Sequence, residues 1–410
     1  MNTASNVVWN EHIFMGGWRT GHGEQVSVIE PATGDLLSTL QTASIEDVDH
    51  AANIAQKTQQ EWAAVPFDRK AEILRNAASL LKSRADEING WNTRECGSIP
   101  PKAQWELQAT YEQALMAAAL PMQPHGQIFP SNMPGRRNYW KRIPIGTVGV
   151  IAPWNFPVLL SMRSVFPALA MGNCVILKPD VKSAICGGAL MAEILREAGL
   201  PEGVFHVLPG GPEIGEALVK HPLVKMISFT GSTAVGLKIG ETCGRMLKKA
   251  ALELGGNNAM VILDDADLES AVSCAAWGSF LHQGQICMQS GRHLVHESIA
   301  DQYANLLSQR AKNLFCGNPW KEQVHLGPLI NETQAQRVER IVNRSIEMGA
   351  TLLAGGKRKG NFYEATVLGN VTPEMPVYSE EIFGPVAPIT TFSTDDEAVA
   401  LINGSDYGLS

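Results

Sequence analysis

Several features of secreted, zinc-binding and nucleic-acid-binding proteins are missing from this sequence. Its seven cysteines form an odd-numbered set without CxxC pairs or zinc-type spacing, which argues against a disulfide scaffold and a structural metal site. It has no basic run, and its net charge of −8 opposes nonspecific attraction to phosphodiester backbones. The amino terminus shows no basic segment followed by an apolar one, so no secretory signal is visible. These absences predict a cytoplasmic protein with reduced thiols and no nucleic-acid partner.

One long segment of low charge resembles a membrane span at first sight. Between Ile143 and Leu177 the sole charged residue is Arg163. Four prolines and three glycines, however, break this segment into short pieces. It therefore predicts buried strands and a helix of a sheet domain, and no membrane partner.

The remaining composition is typical of a globular protein. Hydrophobic residues make up 45% and charged residues 18%, while 38 glycines and 23 prolines supply turns without a low-complexity repeat. Because 410 residues exceed one ordinary domain, we expect two or three packed domains.

Residues 44–120 are predicted to be mainly helical. Apolar side chains recur at helical intervals in three segments, 44–65, 68–90 and about 102–120. A Pro/Gly-rich passage follows, and the alternating segment 137–144 predicts an exposed strand or hairpin. An exposed strand near Tyr139 favours a homodimer or homotetramer.

Short apolar strands then alternate with stretches long enough for crossover helices. The predicted strands are 147–152, 174–178, 204–208 and 226–229, and the predicted helices are 159–171, 183–197 and 213–220. This order predicts an α/β fold with a doubly wound parallel sheet, whose ligands bind beyond the carboxyl ends of the strands. Function is expected at the residues that follow these strands, namely Asn155, Lys178, Gly210 and Gly231. A second α/β unit is predicted from Leu254 onward.

Two of these strand ends carry groups that could meet a phosphate. Gly231 lies at a strand-to-helix turn, where backbone N–H groups at a helix start can bind an anion. The pattern is not GxGxxG, and alone it is more often a structural turn. Lys178 could direct its ammonium at a cofactor hydroxyl or phosphate, although a solvated strand end is the more frequent explanation.

Two further residues have the chemistry of an acyl-transfer site. Cys287 follows a glycine and polar glutamines, outside any regular apolar stripe, whereas the other cysteines lie mostly in apolar or helical contexts. A single cysteine is more often structural than nucleophilic, so Cys287 needs partners. Glu253 lies between two leucines, a setting expected to desolvate a carboxylate and to raise its pKa towards that of a general base. The alternative is a surface acid at a strand end.

Six stretches in one order give these residues a shared explanation. The chain resembles the aldehyde dehydrogenase family over nearly its whole length, in residues 153–156 (PWNF), 178–179 (KP), 229–233 (FTGST), 252–256 (LELGG), 284–287 (GQIC) and 380–386 (EEIFGPV). The resemblance implies that Cys287 is the nucleophile and Glu253 the general base for deacylation. It also implies that the Asn155 amide and the Cys287 backbone N–H form the oxyanion hole.

The resemblance further implies a nicotinamide dinucleotide site. The residues it assigns to that site are Trp154, Lys178, Gly231, Ser232, Glu381 and Phe383. Gly210 is added to them because it follows a predicted strand. It places a dinucleotide-binding domain at 1–120 and 145–253, a bridging or oligomerisation hairpin at 121–144, and a catalytic domain at 254–410. The last domain is expected to be incomplete, because family members continue beyond Ser410.

The chain departs from the family pattern at two positions. Three residues after Lys178, where NAD-preferring relatives commonly have a carboxylate for the ribose hydroxyls, it has Val181, and Asp180 is one residue away from that place. NAD is favoured as cofactor, with NADP as the alternative. Five residues before the nucleophile, where relatives often have Asn, it has His282, which we interpret as a packed wall residue.

The region around the nucleophile resembles dehydrogenases of benzaldehyde and related aromatic aldehydes. The predicted substrate pocket consists of Phe156, Leu159, Arg163, Leu281, Ile286 and Met288. An aromatic ring could stack on the Arg163 guanidinium and on Phe156. The alternative for Arg163 is that it caps or pairs elsewhere.

Two other functions compete with hydrolytic aldehyde oxidation. One is a CoA-acylating aldehyde dehydrogenase, but such relatives typically lack the acid at the Glu253 position. The other is a non-catalytic binding protein that has kept this fold, against which intact Cys287, Asn155 and Glu253 argue.

Overall fold

The computed structural model describes residues 8–409, which contain eighteen β-strands. In chain order they are β1 His12–Met15, β2 Trp18–Thr20, β3 Gln25–Ile29, β4 Leu36–Gln41, β5 Gly126–Pro130, β6 Arg137–Lys141, β7 Thr147–Ile151, β8 Cys174–Lys178, β9 Phe205–Val207, β10 Val224–Thr230, β11 Lys249–Glu253, β12 Asn258–Ile262, β13 Ser290–His296, β14 Thr351–Ala354, β15 Arg358–Lys359, β16 Phe362–Tyr363, β17 Thr366–Gly369 and β18 Val386–Phe392.

In the described residues, twelve α-helices lie between these strands and a thirteenth follows the last of them. They are α1 Ile45–Ala64, α2 Phe67–Ser83, α3 Ala85–Cys96, α4 Pro100–Ala119, α5 Pro157–Ala170, α6 Leu190–Glu197, α7 Pro212–Lys220, α8 Thr233–Arg245, α9 Leu268–Phe280, α10 Ala300–Lys312, α11 Glu332–Glu347, α12 Pro376–Ser379 and α13 Asp395–Asn403. None of the helices in the described residues is long and apolar enough to cross a membrane.

The described chain divides into two units. The first consists of 8–28, 36–91 and 104–253, and the second of 29–35, 92–103 and 254–409. In this division the short segments 29–35 and 92–103 belong to the second unit and the segment 121–144 to the first, while the domain boundaries that the family resemblance implies stay a prediction.

The first unit contains a seven-stranded sheet in the order β11-β10-β7-β8-β9-β1-β2. The strands from β7 to β11 run parallel, while β1 and β2 add antiparallel at one edge. In chain order the parallel strands are arranged 3-2-1-4-5, which is the doubly wound order with a switch point between β7 and β10. The predicted α/β fold is therefore confirmed.

Three elements of this unit differ from the sequence prediction. A fifth parallel strand, β11, follows α8 and ends at Glu253, although its sequence KAALE has too few apolar residues to stand out. The single helix predicted over 68–90 is two helices, because Arg84 leaves the helical conformation with φ −103° and ψ 21°. The helix predicted over 183–197 begins with a wide π turn at Ile185–Ala189, where Gly187 packs against the Pro157 backbone.

The alternating segment near Tyr139 forms the predicted hairpin. β5 and β6 pair antiparallel, with Ile128 opposite Tyr139. Both side chains face solvent, with 74% and 77% of their surface exposed. The role of this hairpin in joining subunits stays a prediction.

The second unit contains a five-stranded sheet in the order β12-β13-β18-β17-β14. The first four strands are parallel and β14 is antiparallel. One buried cluster packs around Leu294, Val338 and Val386, and another around Val295, Tyr303 and Leu307. The predicted second α/β unit is confirmed, and the segment before β13, which carries Cys287, begins at the end of α9.

Candidate active site

In the first unit, Asn155 lies at the carboxyl edge of the sheet. The buried strand β7 ends at Ile151, and Asn155 occupies the turn that leads into α5. The turn is short because Phe156 takes the N-cap position of α5 and Pro157, whose ring fixes φ, takes the first helical position. Asn155 is buried, with 4% of its surface exposed, so its amide is held in a water-poor environment.

A buried carboxylate fixes the first turn of α5. Glu106 of α4 is fully buried and accepts hydrogen bonds from the backbone N–H groups of Val158, at 2.8 Å, and Leu159, at 3.1 Å. A carboxylate at a helix N-terminus satisfies donors that the helix itself cannot and interacts favourably with the helix dipole. Glu106 thus anchors the turn that carries Asn155, and its distant position in the sequence gave no signal of this role.

Glu253 ends β11, in register with Thr230 of the neighbouring strand β10. The prediction that its flanking leucines would desolvate it is wrong, because 57% of the Glu253 side chain is exposed. β11 is the edge strand of the sheet, and neighbouring side chains along a strand point to opposite faces, so the leucines do not cover the carboxylate.

Arg163 of α5 makes contacts at the same edge. Its Nη2 donates to Thr230 Oγ1 at 3.1 Å and lies 3.6 Å from Glu253 Oε2. These contacts are of the pairing kind that the sequence left open for Arg163, and its place in a substrate pocket stays a prediction. The other predicted pocket residues of this unit are Phe156, which is buried and packs edge-to-face on Trp105 at 6.0 Å, and Leu159, which is half-buried.

The predicted cofactor residues of the first unit lie after its parallel strands. Lys178 ends β8, and partial burial lowers the pKa of its ammonium, which the charge of Asp180 opposes. Gly231 follows β10 and donates its N–H to the Glu253 carbonyl at 3.0 Å. A side chain at Gly231 would overlap the Phe229 ring, which explains a glycine at this turn. The remaining members are half-buried Trp154 and buried Gly210.

The N-terminus of α8 is suited to an anion. Ser232 is the N-cap residue and is exposed, and its side chain makes no capping hydrogen bond to the first turn. The N–H groups of that turn therefore face the carboxyl edge of the sheet without this cap. Together with Lys178 and Gly231, this arrangement fits a dinucleotide phosphate.

In the second unit, Cys287 follows a turn of unusual backbone conformation. His282, Gln283 and Gly284 have φ values of 48°, 57° and 68°, so three successive residues are left-handed. The turn is buried, whereas Cys287 is half-buried and Met288 is exposed. Leu281 is half-buried and Ile286 is buried. This backbone reversal brings the Cys287 thiol out of the packed interior.

Three glutamines hold this turn from different sides. Gln283 Nε2 donates to the carbonyls of Gly97, at 3.1 Å, and Pro328, at 2.8 Å. Gln285 Oε1 accepts the Ile330 N–H at 3.0 Å. Gln289 Nε2 donates to Ser279 O at 3.1 Å and to Gly384 O at 2.6 Å. These bonds connect the turn to four separate segments, so its strained conformation is fixed by the surrounding fold.

The paired glycines of the LELGG motif, Gly255 and Gly256, lie close to the Glu381 carboxylate and to the Cys287 backbone. Gly256 donates its N–H to Glu381 Oε1 at 3.2 Å. A side chain at Gly255 would overlap the Glu381 carboxylate, and one at Gly256 would overlap the Cys287 carbonyl. Only residues without a Cβ therefore allow Glu381 and the Cys287 backbone to approach this turn.

A single arginine holds the backbone at Glu381 and Ile382, just before Phe383. Arg337 of α11 donates to Glu381 O at 2.8 Å and to Ile382 O at 2.7 Å. Phe383 follows in the left-handed region, with φ 54°. Burial raises the pKa of the Glu381 carboxyl, which the Gly256 N–H and Arg337 partly counteract.

This raised pKa gives a stability prediction. The folded protein keeps the Glu381 proton to a higher pH than the unfolded chain, so ionisation costs stability as pH rises from about 4.5 through the raised value. We expect Glu381→Gln to remove this cost. Its Tm should rise relative to the parent protein as pH increases through that window, then stay constant. Scanning calorimetry from pH 4.5 to 8 would show this, and a constant Tm difference would contradict it. Exposed Glu61→Gln is the control and should give a constant difference.

Most of the other cysteines are poorer candidates for the nucleophile than Cys287. Burial raises the pKa of Cys174 and Cys316 to about 12 and also raises that of Cys243. Cys96 and Cys186 are buried, and Cys274 alone of the seven is exposed, on α9. A nucleophile must be a thiolate that substrate can reach, so Cys287 and Cys274 are the two accessible candidates.

Known proteins resemble this chain over nearly its whole length. The aldehyde dehydrogenase family pattern matches residues 18–410. A benzaldehyde dehydrogenase (NAD(+)) of Pseudomonas putida is 56% identical over 99% of this chain and 84% of its own length. A vanillin dehydrogenase of Amycolatopsis sp. is 51% identical over 100% and 84%. The crystal structure of an NAD-dependent benzaldehyde dehydrogenase from Corynebacterium glutamicum superposes with a TM-score of 0.93 at 39% identity, over 100% of this chain and 89% of that one. The chain belongs to the aldehyde dehydrogenase family.

Proposed function

We propose that this protein oxidises an aromatic aldehyde of the benzaldehyde type to its carboxylic acid. Cys287 acts as the nucleophile, Asn155 stabilises the oxyanion and Glu253 activates water. The observation that carries this proposal is the match to benzaldehyde and vanillin dehydrogenases at more than half identity over the whole chain. The turn before Cys287, which is fixed by hydrogen bonds of Gln283, Gln285 and Gln289, also supports the proposal.

The chemistry follows from what each group can do. The Cys287 thiolate adds to the aldehyde carbon and gives a thiohemiacetal whose oxygen carries developing negative charge. The buried Asn155 amide and the Cys287 N–H are fixed donors for that charge, and such donors are most effective when water is excluded. After oxidation to the thioester, Glu253 takes the proton of the attacking water. The carbon–sulfur bond then breaks and the thiolate is regenerated.

The residues present fit a nicotinamide dinucleotide. Gly231 and Ser232 would receive its pyrophosphate at the start of α8, Lys178 would bind the adenosine ribose, and Trp154 and Gly210 would line the cleft. Glu381 and Phe383 would position the nicotinamide ribose and ring. When bound, the cofactor accepts the hydride that leaves the thiohemiacetal carbon.

The proposal is tested by an assay of the full-length protein with benzaldehyde, vanillin and hexanal. We expect reduced nicotinamide to form with release of free benzoate and without added CoA, and kcat/KM for benzaldehyde to exceed that for hexanal. A reaction that requires CoA would indicate the acylating alternative. The absence of any turnover with all three aldehydes would refute the proposal.

A second prediction concerns the cofactor. Asp180 is the N-cap of a short turn and binds the backbone N–H of Lys182, at 3.0 Å, and its ammonium, at 2.8 Å. Its carboxylate is therefore engaged beside Val181, the position where a ribose-binding acid is expected. We propose that NAD is preferred over NADP only modestly.

Val181→Glu should lower kcat/KM with NADP about tenfold or more, because the new carboxylate repels the 2′-phosphate. The same substitution should leave kcat/KM with NAD within about threefold of the parent value. Val181→Gln is the uncharged control, and an equal loss with both cofactors would contradict the prediction.

A further inference from the structure

The carboxyl edge of the seven-stranded sheet holds a cation that the proposed reaction does not use. Thr230 and Glu253 are register partners at the ends of β10 and β11, so their side chains leave the sheet side by side. Arg163 of α5 approaches both, with Nη2 at 3.1 Å from Thr230 Oγ1 and 3.6 Å from Glu253 Oε2. One guanidinium therefore connects the proposed base to a neighbouring strand.

Without this contact Glu253 would be weakly restrained. It is the last residue of an edge strand, and 57% of its side chain is exposed. Within the described part of the first unit, Arg163 is the cation paired with it. A carboxylate so exposed has several rotamers available, and fixing one of them costs side-chain entropy that a hydrogen-bonded partner can offset.

Arg163 itself is well anchored. It is the seventh residue of α5, whose first turn is fixed by the buried Glu106 carboxylate. Thr230 Oγ1 restrains the guanidinium from a second direction. A planar guanidinium has hydrogen-bond donors and no acceptor, so it can orient a carboxylate but cannot accept the proton of water.

We propose that Arg163 is a positioning residue for Glu253 and acts in hydrolysis of the thioester. This inference rests on the proposed function, because it assumes that Glu253 is the base. It assigns to Arg163 a role in the second half-reaction, in place of stacking against an aromatic substrate.

An activated ester substrate allows hydrolysis of the thioester to be measured without the preceding oxidation. With 4-nitrophenyl benzoate, the Cys287 sulfur bonds to the acyl carbon and 4-nitrophenolate leaves, which gives the benzoyl thioester without hydride transfer. Water then adds with loss of its proton to Glu253, the carbon–sulfur bond breaks, and benzoate and the thiol are released. Stopped-flow absorbance shows acylation as a burst of 4-nitrophenolate and deacylation as the following steady rate.

The expected results differ between the two phases. Arg163→Met should leave the burst rate within about twofold and lower the steady rate about five- to tenfold. Arg163→Lys should recover part of that loss, because it keeps the charge without the planar fork. Thr230→Val should lower the steady rate about two- to threefold. In a Glu253→Gln background, Arg163→Met should cause no further loss. Arg245→Met, which removes an exposed arginine paired with Glu241 in the same unit, should change neither phase.

The inference would be overturned by an unchanged steady rate in Arg163→Met, by an equal loss in both phases, or by full additivity with Glu253→Gln. A loss of kcat/KM far greater for benzaldehyde than for hexanal would also overturn it, in favour of a substrate contact. If Arg163→Met is insoluble, Arg163→Lys and Thr230→Val decide, and an unchanged steady rate in both refutes the role.

Failure of the proposed function would look different. A burst that persists in Cys287→Ser, or a steady rate unaffected by Glu253→Gln, would show that the nucleophile or the base is misassigned. Normal behaviour of those two variants together with a neutral Arg163→Met would leave the function in place and refute only the role of Arg163.

Discussion

Replacing Cys287 by serine is expected to lower kcat/KM for benzaldehyde by about 10³-fold or more. A serine hydroxyl is not ionised near neutral pH, so it cannot add to the carbonyl without a dedicated base, and the thioester cannot form. Initial rates of nicotinamide reduction with the full-length protein would measure the loss.

The matched control is Cys274→Ser, which removes the exposed cysteine of α9. Because that thiol is predicted to take no part in the reaction, its replacement should leave kcat/KM within about twofold. The assignment would be wrong if Cys287→Ser kept a tenth of the activity, or if Cys274→Ser lost most of it.

The second large effect is expected at Gly284, three residues before the nucleophile. This residue has φ 68°, and an added Cβ would overlap the Gly384 carbonyl and approach Gln289 Nε2 within 2.6 Å. Gly284→Ala must therefore move the turn away from one of its anchors. Because a displacement of about 1 Å at a reacting group can cost about 10²-fold in rate, we expect a loss of that size in kcat/KM.

A second glycine variant distinguishes the effect of displacing the Cys287 turn from the effect of backbone strain alone. Gly360 has a similar φ of 60°, but no heavy atom lies within 4 Å of its Cβ position. Gly360→Ala should cost about 1–2 kcal/mol of stability for the left-handed conformation and leave kcat/KM within about twofold. Equal losses of activity in the two variants would show that strain, and not displacement of the Cys287 turn, is responsible.

Much of the fold could be predicted because its signals are local. The buried strands β7 and β8 are continuous apolar segments bounded by prolines and glycines, so their positions follow from the sequence within one residue. β11 gave no such signal because an edge strand is covered on fewer sides and needs fewer apolar residues. The inclusion of 29–35 and 92–103 in the second unit depends on packing over long sequence separations, which local patterns do not contain.

The residues of the candidate site could also be predicted where the signal is local, but not where it depends on contacts between distant positions of the chain. Cys287, Asn155 and Glu253 were found through motifs whose residues are neighbours in the chain. The pairing of Arg163 with Glu253 joins residues 90 positions apart, and the contact of Glu106 with α5 joins residues about 50 apart. The exposure of Glu253 was predicted incorrectly, because flanking leucines say nothing about whether a strand lies at an edge.

The left-handed backbone before Cys287 restricts which amino acids can occupy position 282. Asparagine, aspartate and histidine enter the left-handed region more readily than other residues with a Cβ, and β-branched residues enter it least. His282 therefore satisfies one requirement of main-chain shape, whatever its side chain contributes. A saturation library at position 282 should accordingly be rich in Asn among its active members and nearly empty of Val, Ile and Thr.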